Sequence, residues 1–278
     1  MALPPRAMKF SRDWITRPVF AFLLAGIVIA AVYFDKPYLE IMVAVSVMLA
    51  AREWHRMVGE GRFAVELLAT TSVIWLSLAA FLYGPVAIAP PLVLAAGTLL
   101  VLGIGYARRS NPLWHAGGVV YLGIPALAIL ALRDFTPHGT WVLIGLFLIV
   151  WATDTGAFLV GNLIGGPKLA PVLSPNKTWS GFLGGIVSAA AVLAIFIAVL
   201  GGAVLPAALF AVSIAVAAHL GDLFESMVKR RFHIKDSGSS IPGHGGVLDR
   251  IDSTLFAAVA FGIAVFVFRL DPLFGAFR

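Results

Sequence analysis

Long apolar runs broken by short polar connections leave this chain few ways to fold. Nine stretches are candidates to span a membrane: residues 18–34, 38–51, 65–83, 87–105, 118–132, 141–160, 180–200, 203–224 and 251–268. A helix needs about 20 residues to cross the hydrocarbon layer, with a range of roughly 17–25. The stretches 38–51 and 118–132 are short, and each can extend into its flanks, lie tilted at an interface or turn back. Composition agrees with membrane burial. The chain is 60% hydrophobic and only 12% charged, with a mean hydropathy of +0.96, against roughly 45–50% and about 25% in soluble domains. The expected fold is all-α: a polytopic integral membrane protein with about nine transmembrane helices. Soluble doubly wound folds, sandwiches and disordered chains are excluded.

The positions of Lys and Arg test this division. With the N-terminus and every second connection placed in the cytoplasm, that side carries sixteen of the 20 basic residues, from Arg6, Lys9, Arg12 and Arg17 through Lys229, Arg230, Arg231, Lys235 and Arg250. The other side keeps Lys36, Arg133, Arg269 and Arg278. The bias follows the positive-inside rule. It predicts a basic cytoplasmic tail before the first span, a C-terminus outside, and residence in the cell inner (cytoplasmic) membrane. The net charge of +6 then points to membrane lipids or an anionic substrate, not to nucleic acid. With no cysteine there is neither a disulfide framework nor a thiolate metal site. The six histidines show no HExxH-type pairing for zinc.

Polar features are uneven. Residues 1–140 hold the first five spans and read as a helical scaffold. Residues 141–278 hold spans six to nine and two long polar connections, residues 161–179 and 225–250, both on the cytoplasmic side. This second half is the expected catalytic region.

Four carboxylates flank the later connection. Asp222 and Glu225 stand three apart at the end of the eighth span, and Asp249 and Asp252 three apart at the start of the ninth, so each pair shares a helix face. Acidic groups at a membrane boundary are costly unless paired or metal-bound, and they mark function by default. Carboxylates beside Lys229, Arg230 and Lys235 suit phosphoryl or nucleotidyl transfer. Hard oxygen ligands hold Mg²⁺, which takes carboxylates together with substrate phosphates. The basic side chains neutralise a polyphosphate. The turn Pro242-Gly243-His244-Gly245-Gly246 can offer backbone N–H groups to phosphate oxygens. A plainer account, a basic loop with turning glycines and an Asp-capped helix start, stays open.

The earlier connection follows Asp154, set deep in the apolar sixth span, where a carboxylate costs roughly 2.5–3.5 kcal/mol on insertion scales. Lys168 and the run Ser174-Pro175-Asn176-Lys177-Thr178 come next. Asp154 is either a site group or a buried hydrogen-bond partner. Ser174-Pro175 is either part of a site or an ordinary helix start. No GxxxxGK[ST] and no GxSxG element occurs, so neither a P-loop nor a nucleophile elbow is present.

Residues 226–252 resemble the signature of the CDP-diacylglycerol synthases, or phosphatidate cytidylyltransferases. The fixed positions found here are Ser226, Lys229, Arg230, Lys235, Asp236, Gly238, Pro242, His244, Gly245, Gly246, Asp249, Arg250 and Asp252. Thr153-Asp154, Ala157-Phe158, Gly165, Lys168-Leu169 and Ser174-Pro175-x-Lys177-Thr178 resemble the family's second polar stretch, although Ser180 stands where many members have Glu. The resemblance implies CTP and phosphatidic acid as substrates and CDP-diacylglycerol and pyrophosphate as products, with Mg²⁺; a second cation and a homodimer stay open. Taken with the carboxylate pairs, the expected catalytic residues are Asp222, Lys235, Asp236, His244, Asp249, Arg250 and Asp252, with Asp222, Asp249 and Asp252 as the expected metal ligands. Asp154, Lys168, Ser174, Lys177, Thr178, Ser226, Lys229, Arg230, Gly245 and Gly246 would bind substrate. Two rivals fit less well. A transporter of an anionic metabolite would carry polar breaks in both halves, and a CDP-alcohol phosphotransferase would show an Asp-Gly-x-x-Ala-Arg element that is missing.

Overall fold

The computed structural model describes residues 13–34, 36–59, 63–238, 240 and 245–268. Among these residues the chain forms nine helices: α1 (Asp13–Tyr33), α2 (Tyr38–Val58), α3 (Ala64–Tyr83), α4 (Ala89–Arg108), α5 (Pro112–Asp134), α6 (Gly139–Ile164), α7 (Trp179–Val199), α8 (Val204–Arg231) and α9 (Leu248–Phe266). Six of them, α3 to α8, are long and apolar enough to cross a membrane. The all-α, multi-helix membrane architecture expected from the apolar runs is therefore present. The two short stretches, 38–51 and 118–132, both extend into their flanks, giving helices of 21 and 23 residues. Helices α2 and α9 carry charge within their length: Glu40, Arg52, Glu53 and Arg56 in α2, and Asp249, Arg250 and Asp252 in α9.

One element is not helical. β1 (Lys168–Ala170) and β2 (Ser174–Thr178) form an antiparallel hairpin between α6 and α7. Ser174-Pro175 consequently does not start a helix. The helix begins at Trp179, with Thr178 as its N-cap: the Thr178 hydroxyl accepts the Gly181 N–H at 3.1 Å, satisfying one of the donors a helix start leaves unpaired.

The helices pack in two groups that meet at α5 and α9. Small residues set the α6–α7 contact: a Cβ at Gly184 would run into Val160, and one at Gly156 into Ser188. Helices that approach this closely gain van der Waals contact where lipid offers no hydrophobic drive. A continuous apolar core, including Trp54, Ile74, Leu122, Leu146, Leu193 and Phe261, joins both groups.

Polar contacts show which helix ends lie together. The end of α2 meets the start of α5, where Asn111 donates to the Val58 carbonyl at 2.7 Å. The start of α3 meets the end of α4 through the Glu66–Arg108 ion pair at 3.0 Å. At the opposite end of the bundle Lys36 pairs with Asp134 at 2.8 Å. Arg52, Arg56, Arg108 and Arg109 thus lie at the end that also holds the α8–α9 connection.

Candidate active site

The end of α6, the hairpin, the start of α7, the end of α8 and the start of α9 carry the site. Two ion pairs knit these pieces together. Lys177 of β2 pairs with Asp222 of α8. Lys229, one helical turn after Glu225, reaches Glu225 Oε2 at 2.7 Å and, across to α9, Asp249 Oδ1 at 2.8 Å. Asp249 also accepts the backbone N–H of Ser237 at 3.2 Å and that of Gly246 at 3.0 Å. Its two oxygens are thus surrounded by donors, and the Gly246 N–H points at a carboxylate of the chain itself.

Asp252 is buried and accepts the Ser253 N–H at 2.7 Å. The charges of Asp222, Glu225 and Asp154 bear on it. Asp154 in turn accepts from the Ser253 hydroxyl at 3.4 Å and feels Asp222, Lys177 and Arg250. The carboxylate of the sixth apolar stretch and those of the signature therefore belong to one electrostatic cluster, although 99 residues separate Asp154 from Ser253.

The remaining expected residues are more dispersed. Ser226 lies 3.5 Å from Asp222, one turn away on α8. Arg230 donates to the Leu173 carbonyl at 3.3 Å and so holds the hairpin turn against α8. Lys168 stands exposed on β1, opposite Thr178. Ser174 starts β2. Lys235, Asp236 and Arg250 are exposed, and Gly245 takes a positive φ of 84° in the turn before α9. His244 and Pro242 lie outside the described residues. Ser180, at the position where many members of the resembled family have Glu, bonds the Gly165 carbonyl and the Thr178 hydroxyl, tying the end of α6 to the start of α7.

Three residues were missed in the sequence. Glu53 of α2 accepts the Val247 N–H at 3.0 Å, the Leu248 N–H at 2.8 Å and the Ser237 hydroxyl at 3.4 Å. Tyr121 of α5, its hydroxyl buried without a hydrogen-bond partner, feels the charges of Asp252, Glu225 and Asp222. His219 of α8 contacts the Phe182 carbonyl at 3.2 Å. Nothing in the sequence tied these side chains to the signature, because each sits in a stretch that reads as a plain span or its end.

A cation fits the donor chemistry here. Asp222, Glu225, Asp252 and Asp154 supply hard oxygens, and Glu225 Oε1 is buried without a partner. Among the described residues no three acidic or histidine side chains form a ready-made cation site; Asp222 and Asp249 each hold a lysine instead.

The chain matches the cytidylyltransferase family over residues 15–268. It is 43% identical over 177 residues to a phosphatidate cytidylyltransferase of Brucella suis biovar 1 (strain 1330), covering 60% of this chain and 66% of that protein. A phosphatidate cytidylyltransferase of Rickettsia bellii (strain RML369-C) is 43% identical over 174 residues, 58% of this chain and 75% of its own length. One from Bacillus subtilis (strain 168) is 41% identical over 139 residues, 49% of this chain and 52% of its own. The aligned stretch thus spans just under two thirds of the Brucella relative.

Proposed function

The chain belongs to the cytidylyltransferase family, and from that membership we propose that it makes CDP-diacylglycerol and pyrophosphate from CTP and phosphatidic acid. In this reaction a phosphate oxygen of phosphatidate attacks the α-phosphorus of CTP. The new P–O bond forms as the bond to the β-phosphate oxygen breaks, and pyrophosphate leaves with its electron pair. The substrate brings its own nucleophile, so the protein has to align two polyanions and stabilise charge on the leaving group. One observation carries the reading: Lys177 and Lys229, each on a carboxylate, stand with Asp154 and Asp252 at the meeting point of both polar connections.

Within this reading Lys177 and Lys229 exchange their carboxylate partners for substrate phosphates. Arg230 and the hairpin keep Lys177 in reach of α8. Gly245 and Gly246, in the turn that enters α9, are given to CTP in this reading. Asp222, Asp249 and Asp252 would hold Mg²⁺, which when bound neutralises polyphosphate charge and polarises the phosphorus.

The proposed setting is the inner membrane, with about nine spans, a cytoplasmic N-terminus and the site facing the cytoplasm, where CTP is available. Residues 1–140 then act as scaffold and 141–278 as the catalytic part. The test uses purified chain in detergent with phosphatidate, labelled CTP and Mg²⁺. Lipid-linked cytidine and pyrophosphate should appear in equal amounts, and chelating the metal should stop both. Folded protein that makes neither product with any phosphatidate overturns the proposal.

A further inference from the structure

Glu53 belongs to the half of the chain read as scaffold, yet it is only 2% exposed and is spent on the α8–α9 connection. Its carboxylate takes the N–H of Val247 and of Leu248, two of the donors that the start of α9 leaves open, and the hydroxyl of Ser237 at the other side of the same connection. A helix start is ordinarily capped by a side chain of its own segment; here the cap comes from another helix, 194 residues away from Val247. The glycines on either side confirm the fit. A Cβ on Gly238 would come within 2.5 Å of Glu53 Oε1, and one on Gly246 within 2.5 Å of Glu53 Oε2. Gly238 is thus small because this carboxylate lies against it, and Gly246 because the carboxylate and the Ser237 hydroxyl both do.

We propose that Glu53 is a positioning residue for cytidylyl transfer, clamping both ends of the 237–248 connection so that Asp249 and Asp252 enter the site in register. The proposal rests on the transfer reaction above. Glu53 touches no substrate; it acts through Ser237, whose N–H also goes to Asp249, and through the first turn of α9, which carries Asp249 and Asp252. The connection also carries Gly245 and Gly246, which this reading gives to the nucleotide, so a loosened clamp weakens the hold on CTP before the hold on the lipid.

The decisive variants are Glu53→Gln, which keeps size but turns one acceptor into a donor facing an N–H, and Glu53→Ala. With the whole chain in detergent, hydrogen exchange of the 237–250 segment should rise about tenfold or more in both variants while the α6 and α7 segments stay as they were, because the charged acceptor of these hydrogen bonds is lost. The apparent KM for CTP should rise about tenfold while that for phosphatidate stays within about twofold. A merely structural role would lower the rate in proportion to folded protein and leave both KM values unchanged, and that result overturns the proposal. So does unchanged exchange in 237–250. Gly238→Ala supplies an independent check: its loss should be absent in the Glu53→Ala background, where the obstructing carboxylate is gone, and additive losses would refute the clamp. A wild-type chain that makes no product sinks the reaction instead, and the exchange comparison then decides alone whether Glu53 holds the connection.

Discussion

Lys229 lies between Glu225 and Asp249, at 2.7 and 2.8 Å, with all three side chains largely withdrawn from solvent. Removing it leaves two carboxylates without a counter-ion. Lys229→Met should cost about 3 kcal/mol or more in stability, as breaking a buried pair does, and should abolish turnover. Lys229→Met with Glu225→Gln should regain part of the stability and none of the activity. Thermal unfolding and product formation measured together check both halves; a single variant as stable as the wild type refutes the account. At this scale the sequence was legible where spacing along one helix sufficed: Asp222 with Glu225, and Asp249 with Asp252. The lysines that pair with Asp222 and Asp249 were not. Lys177 reaches Asp222 only because the hairpin folds toward α8, and Lys229 and Asp249 lie on different helices, 20 positions apart.

The hairpin and the first turn of α7 act as one element. Thr178 ends β2, caps α7 and bonds Ser180, whose hydroxyl reaches back to the end of α6. Thr178→Ala should therefore lower stability by about 1 kcal/mol, the usual cost of losing such a cap, and should also loosen Lys177, one residue away. Thr178→Ser should restore both. Unfolding midpoints of the two variants make the comparison, and equal midpoints would remove the cap from the account. Helix existence was readable from the apolar runs, and the ends of α2 and α5 were misplaced only where polar residues continue a helix past its apolar stretch. The hairpin was unreadable for a different reason. Its eight strand residues lack the alternation that marks a strand, and a Ser-Pro pair before an apolar run is also a common way to begin a helix.

For the molecule as a whole, alternation of helix ends is the property to test. Cysteine introduced at Arg109 or Lys235 should be labelled from one side of the membrane only, and cysteine at Val86, exposed in the α3–α4 connection, from the other. The chain has no native cysteine to blur the result. Labelling of all three from the same side would break the alternation. The basic residues are the basis of this expectation, because charge resists translocation whatever the helices later do. The sequence did not record that the two halves share one core, nor that a carboxylate of α2 closes the connection between α8 and α9. That last contact bears on inheritance. A fragment starting at α6 would contain every position of the signature and still lack the group that seals it, so the signature is not a portable module. A chimera that joins the first half of one family member to the second half of another should work only when its α2 and its glycine turn come from matched parents.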